Sequence, residues 1–119
     1  MRQTGIFAAC GLVALQDWQE HLRSDHDNAA FLAQELAGIP GIQIEPELVE
    51  TNILRFTVEP KPRKRGGVDY RKFVGRLREE HQVLCNAGFA NDNVRFVTHR
   101  DVSREHCEKA LKAVKSLIQ

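Results

Sequence analysis

Apolar residues in this chain recur with two periods, and glycine, proline or polar clusters separate the segments. From Gln3 to Gln16, Ile6, Ala9, Cys10, Val13 and Ala14 repeat at helical spacing. Phe7 and Leu12 lie off that stripe, so the predicted helix is apolar nearly all round. Gly5, Ala8, Ala9 and Gly11 keep it narrow enough for close approach. A helix of this kind is usually buried on several sides. It predicts a partner surface beyond the core that a short chain can build for itself.

A second helix is expected from about Asp17 to Ala37, with Trp18, Leu22, Ala29, Leu32, Ala33 and Leu36 facing inward and Gly38 and Pro40 ending it. Gly41 to Ile44 alternates apolar and polar as a half-buried strand does, and Pro46 breaks the alternation. Thr51 to Val58 is rich in β-branched and aromatic residues and predicts a second strand. Asp69 is placed to cap a third helix ending near His81, with Tyr70, Phe73, Val74 and Leu77 inward. Val83-Leu84-Cys85 reads as a short strand, Ala87 to Asn93 as a polar loop, and Val94 to Thr98 as a further strand. Ser103 caps the last helix, whose stripe is Cys107, Ala110, Leu111, Val114, Leu117 and Ile118. Lys109, Lys112 and Lys115 lie toward its C-terminal end, where the helix dipole favours cations. The order α, α, β, β, α, β, β, α predicts an α+β fold. It should be a small, largely antiparallel sheet of about four strands with helices packed on one face.

At 119 residues the chain is one domain. Its 17 basic and 16 acidic residues give a net charge of +1, which calls for neither nucleic acid nor an anionic membrane as partner. The cluster Lys61-Pro62-Arg63-Lys64-Arg65, followed by Gly66 and Gly67, reads as a solvated loop. Only Tyr70 lies near it, and base stacking needs several aromatic side chains. No apolar run approaches the ~18 residues of a membrane span, and no secretory h-region opens the sequence. Cys10, Cys85 and Cys107 are odd in number and widely spaced, as reduced thiols are; the cytoplasm, or an organelle matrix, is expected. Each is read as a core residue rather than a nucleophile. The five histidines, His21, His26, His81, His99 and His106, lack metal-ligand spacing. Neither a phosphate loop nor a nucleophile elbow is present.

The candidate chemistry lies in arginines. Asn93-Val94-Arg95-Phe96-Val97 places one guanidinium inside an apolar strand. Burying that charge is costly unless an anion meets it. A planar guanidinium grips a carboxylate with two parallel hydrogen bonds and stays charged at working pH. Arg95 therefore points to a carboxylate or phosphate ligand. Two alternatives stand beside that reading: exposure at a sheet edge, or pairing with an acid of the same domain such as Asp92. Arg55, between Leu54 and Phe56, is a rival that alternation would turn outward. Arg2 precedes a helix start, where backbone amides favour anions. From spacing alone, an unengaged terminus explains Arg2 better.

Four stretches carry a family resemblance over almost the whole chain. They are Met1-Arg2-Gln3-Thr4-Gly5 with its Ala-rich helix, Asp25-His26-Asp27-Asn28-Ala29, Thr51-Asn52-Ile53, and Val94-Arg95-Phe96-Val97-Thr98-His99-Arg100-Asp101-Val102-Ser103. The sequence resembles the C-terminal part of the low-specificity threonine aldolases, pyridoxal-phosphate enzymes of the aspartate-aminotransferase-like fold. The resemblance implies that residues 17–119 are the small domain and that residues 1–16 are a helix linking to an absent large domain. It implies cleavage of threonine or allo-threonine to glycine and acetaldehyde, a partner large domain or partner subunits, and a homo-oligomer. It gives Arg95 the substrate carboxylate and Arg2 a share of the cofactor phosphate. For Asp25 to Ala29 it implies no role beyond a place in a helix. The family's Schiff-base lysine lies in the large domain and has no counterpart in these stretches. The chain alone is therefore expected to contain no catalytic residue, to bind pyridoxal phosphate poorly and to leave threonine uncleaved. The alternative is a structural or interaction subunit derived from that domain.

Overall fold

The computed structural model describes residues 2–59, 68–90 and 92–118. The basic loop Lys61 to Gly67 falls outside the described residues. Helix α1, Thr4–Ala14, is followed by α2, Trp18–Ala37, then strand β1, Ile42–Gln43, and a single 3₁₀ turn, Pro46–Leu48. Strand β2, Ile53–Val58, leads to α3, Tyr70–His81; β3, Asn86–Ala87, and β4, Val94–Val97, precede α4, Arg104–Ile118. The four strands form one antiparallel sheet in the order β1-β2-β4-β3. The α+β architecture expected from the sequence is the one observed.

Alternation along the two central strands sorts the sheet into two faces. Leu54, Phe56, Val94 and Phe96 are buried beneath the helices, and Phe56 meets Phe96 edge-on with ring centroids 5.3 Å apart. The core is completed by Ala29, Leu32, Ala33 and Leu36 of α2, Tyr70 and Leu77 of α3, and Cys107, Ala110, Leu111, Ala113 and Val114 of α4. Tyr70 also anchors α3 to the sheet, since its hydroxyl accepts from the Val58 N–H at 3.1 Å and donates to the Val58 carbonyl at 3.3 Å. Asp69 caps α3 through the Lys72 N–H, as expected. Ser103 caps α4 in a reciprocal pair with His106. Its Oγ accepts from the His106 N–H, and its own N–H donates to His106 Nδ1.

Two expectations are corrected. Val83-Leu84-Cys85 is not a strand; pairing begins at Asn86. Gln82 closes α3 in the left-handed region at φ 59°, and the Val83 N–H is held by the Leu77 carbonyl, so neither is available to a ladder. Leu84 then points to solvent, 78% exposed. Trp18 and Leu22 do not join the core; they are 44% and 43% exposed. A 20-residue helix is about 30 Å long, longer than the sheet it covers. Its first turns overhang the core, and burial starts at Asp25.

Helix α1 buries nothing. Ile6, Phe7, Leu12, Val13 and Leu15 are 62–70% exposed. The radius of gyration is 16.9 Å, against about 13.5 Å for a compact chain of this length, and the long axis is 58 Å. No described helix is long and apolar enough to cross a membrane.

Candidate anion site on the open sheet face

The face of the sheet turned away from the helices carries Ile53, Arg55, Asn93, Arg95 and Val97 by the same alternation. Arg55 and Arg95 are register partners across β2 and β4. The Thr98 N–H donates to the Asn52 carbonyl, which makes 52/98 a hydrogen-bonded pair. Counting along the ladder, 55/95 is then a non-hydrogen-bonded pair, the closer kind, with Cα atoms about 4.5 Å apart. Two like charges directly opposite one another destabilise a sheet.

Beside them is a cavity of about 470 Å³, lined by Arg55, Asn86, Gly88, Asp92, Asn93 and Arg95 among others. Arg95 is half-buried, and its Nε is buried without a hydrogen-bond partner. No acid of the described residues forms an ion pair with it. Asp92, the acid that sequence reading offered as its partner, instead accepts from Asn93 Nδ2 at 2.7 Å. Arg55 alternates outward as expected, but onto the same face and into the same cavity. A broader depression of mixed polarity, about 860 Å³, with Ile44, Glu45, Leu48 and Thr51 in its wall, adjoins this cavity and shares Arg55 and Asn93 with it.

The turn before β4 is shaped by Gly88. A Cβ at this position would lie 2.6 Å from Asn93 Nδ2, so a side chain here would displace Asn93. The Gly88 N–H donates to the Asn93 carbonyl at 2.9 Å and closes the turn.

A hydrogen-bonded junction holds the other end of β4. Thr98 is 1% exposed, and its hydroxyl donates to the Asp25 carbonyl at 2.6 Å. Asn52 Nδ2 donates to the Thr98 carbonyl at 2.6 Å, and Asn28 Nδ2 to the Val102 carbonyl at 2.9 Å. Three of the four resemblance stretches meet here, and the Asp25-to-Ala29 stretch acquires its physical account. It ties α2 to both ends of the segment joining β4 to α4 and thereby fixes the strand that carries Arg95.

Arg2 is exposed in the turn entering α1 and is not among the residues lining the Arg95 cavity. The thiols are unbonded: Cys10 is exposed, Cys85 half-buried and Cys107 buried. Burial pushes the Cys85 thiol up to about 12. Burial also raises Cys107, against the opposing pull of the Arg104 guanidinium. Among the described residues no three His, Cys, Asp or Glu side chains gather to hold a metal. The described cavity lining holds two arginines beside the single carboxylate of Asp92, and no Ser, Thr, Cys, Lys or His. Sequence reading missed Asn93 and Gly88. The signal for Asn93 was its position two residues before Arg95, which places both on one face of a strand.

Comparison with solved structures defines the class. A cystine C–S lyase in complex with its product cysteine persulfide superposes with a TM-score of 0.68 at 19% identity, over 82% of this chain and 24% of that one. A mutant of the lyase with glycine covalently linked to its pyridoxal-phosphate cofactor gives 0.67 over the same shares. The chain shares its fold with that part of these lyases. In sequence, a β-eliminating lyase family model matches residues 1–59. The low-specificity L-threonine aldolase of Escherichia coli K12 is 38% identical over 105 residues, 88% of this chain and 27% of that protein. Low-specificity L-threonine aldolase 1 of Arabidopsis thaliana is 33% identical over 103 residues, 87% of this chain and 27% of that protein. The chain is thus 33–38% identical to low-specificity L-threonine aldolases over most of its own length, and it spans 27% of the length of these relatives.

Proposed function

We propose that this chain is the C-terminal part of a pyridoxal-phosphate-dependent lyase that cleaves threonine or allo-threonine to glycine and acetaldehyde. Arg95 holds the substrate carboxylate. The observation that carries this reading is the buried, unpartnered Nε of Arg95, a residue lining a cavity whose own acid, Asp92, accepts from Asn93. A carboxylate matches the guanidinium in charge and in hydrogen-bonding type.

The chain's groups fit substrate better than cofactor. Arg2, exposed at the start of α1, is the group offered to the cofactor phosphate, and the rest of that site belongs to a large domain or a partner subunit. Pyridoxal phosphate, when bound, supplies the electron sink that carbon–carbon cleavage needs. The residues of this chain bind and orient. The exposed α1 arm is the link to the large domain, and residues 17–119 are the small domain; the assembled enzyme is a homo-oligomer of the cytoplasm or an organelle matrix. The test is reconstitution. The 119-residue chain with pyridoxal phosphate and threonine is expected to release no acetaldehyde, and the chain joined to the family's large domain is expected to release it. Turnover by the chain alone, or an inert joined enzyme, contradicts the reading.

A further inference from the structure

Two buried polar atoms of opposite hydrogen-bonding type belong to residues lining the Arg95 cavity, and neither has a partner. One is Arg95 Nε, a donor. The other is Asn93 Oδ1, an acceptor. Amide ends are easily interchanged in a structure, but here the orientation is fixed by chemistry. The other end of the Asn93 amide lies 2.7 Å from Asp92 Oδ1, and an ionised carboxylate only accepts, so that end must be the NH₂ group. The oxygen is then necessarily the atom left unsatisfied. Leaving a buried acceptor unpaired carries a desolvation cost, and native proteins rarely tolerate it without reason.

Asn93 and Arg95 lie two residues apart on the same face, with Cα atoms about 6.8 Å apart. Gly88 leaves room for the Asn93 amide to fold over the turn, and Asp92 holds it there. An unpaired acceptor and an unpaired cationic donor on two residues lining one cavity suit a small molecule that carries both a carboxylate and a hydroxyl hydrogen.

We propose that Asn93 is a binding residue that accepts a hydrogen bond from the hydroxyl of a hydroxy acid whose carboxylate is held by Arg95. The proposal rests on the carboxylate role of Arg95. It adds the reason why a hydroxylated acid is preferred over a plain one.

The 119-residue chain, labelled with ¹⁵N, is titrated with acetate and with glycolate, which differ by one hydroxyl. Glycolate is expected to bind about fivefold more tightly than acetate, as one added hydrogen bond implies. It is also expected to shift the Asn93 side-chain amide signals, which acetate leaves in place. Asn93→Leu should abolish the preference while acetate still binds, and Arg95→Ala should abolish binding of both. Should Asn93→Leu fail to fold, the signals of the unaltered chain decide the matter. Arg95-dependent binding of acetate with no preference for glycolate overturns the Asn93 assignment and leaves the carboxylate role of Arg95 standing. Failure of either acid to bind, or binding indifferent to Arg95→Ala, overturns both.

Discussion

Arg55 and Arg95 face one another directly across β2 and β4, two guanidinium groups on the helix-free face of the sheet. A direct like-charge pair costs roughly 0.2–1 kcal/mol. An anion seated between the strands offsets that cost. Without one, Arg55→Leu is expected to stabilise the chain, raising Tm by about 1–6 °C, and the gain should shrink as salt is added. Thermal denaturation at two ionic strengths measures it. A fall in Tm would mean that Arg55 has an acid partner in solution.

The Thr98 hydroxyl anchors the far end of the same strand on the Asp25 carbonyl. Thr98→Val keeps the shape and removes the donor, leaving a buried carbonyl short of a partner. A loss of about 1–3 kcal/mol in chemical denaturation is expected. Asn28→Leu should cost a similar amount through the Val102 carbonyl. Near-neutral effects at both positions would show that the junction is not what holds β4.

Helix α1 should contribute association rather than stability. Removing residues 1–15 takes away no buried side chain among the described residues, so Tm is expected to change by less than ~1 °C. Five large apolar side chains leave the surface with it. Binding of a hydrophobic dye, and any concentration-dependent self-association, should therefore fall. A truncated chain that melts well below the full one would place α1 against the core.

The thiols predict an order of reactivity. With the Cys85 thiol held near 12, only about 1 in 10⁴ molecules carries a thiolate there at pH 8. Iodoacetamide followed by mass spectrometry should modify exposed Cys10 first and spare Cys85 and buried Cys107 until the chain unfolds. The same burial has a consequence for stability. A thiol whose folded value lies above its unfolded 9.0 favours the folded chain below about pH 9, and that contribution fades as pH rises toward about 12. Equal labelling of all three cysteines in the folded chain would contradict this order.

Much of the architecture was legible in residues whose local chemistry and tertiary role agree. Asp69, Ser103, Gly38 and the alternation of Leu54, Phe56, Val94 and Phe96 each specify an element without help from distant contacts. The failures are places where a distant partner decides. Leu84 has the composition of a strand residue, yet the left-handed turn at Gln82 sends it to solvent. Trp18 and Leu22 have the right spacing for a core face, but the sheet beneath α2 does not extend to meet them. At the site, the cost of burying a guanidinium pointed to Arg95 from one strand alone. The facing of Arg55, and the isolation of the Asn93 oxygen, depend on register and on an amide held by Asp92, which no one-dimensional pattern encodes.

The central claim is that Arg95 grips the substrate carboxylate. It is tested most directly by comparing Arg95→Ala and Arg95→Lys with the unaltered residue in the enzyme formed with the large domain. Loss of a two-pronged, charge-assisted contact of about 1.5–3 kcal/mol predicts a 10- to 150-fold rise in KM for threonine in the alanine variant, only partly restored by lysine. Unchanged KM in both variants would remove Arg95 from the substrate site.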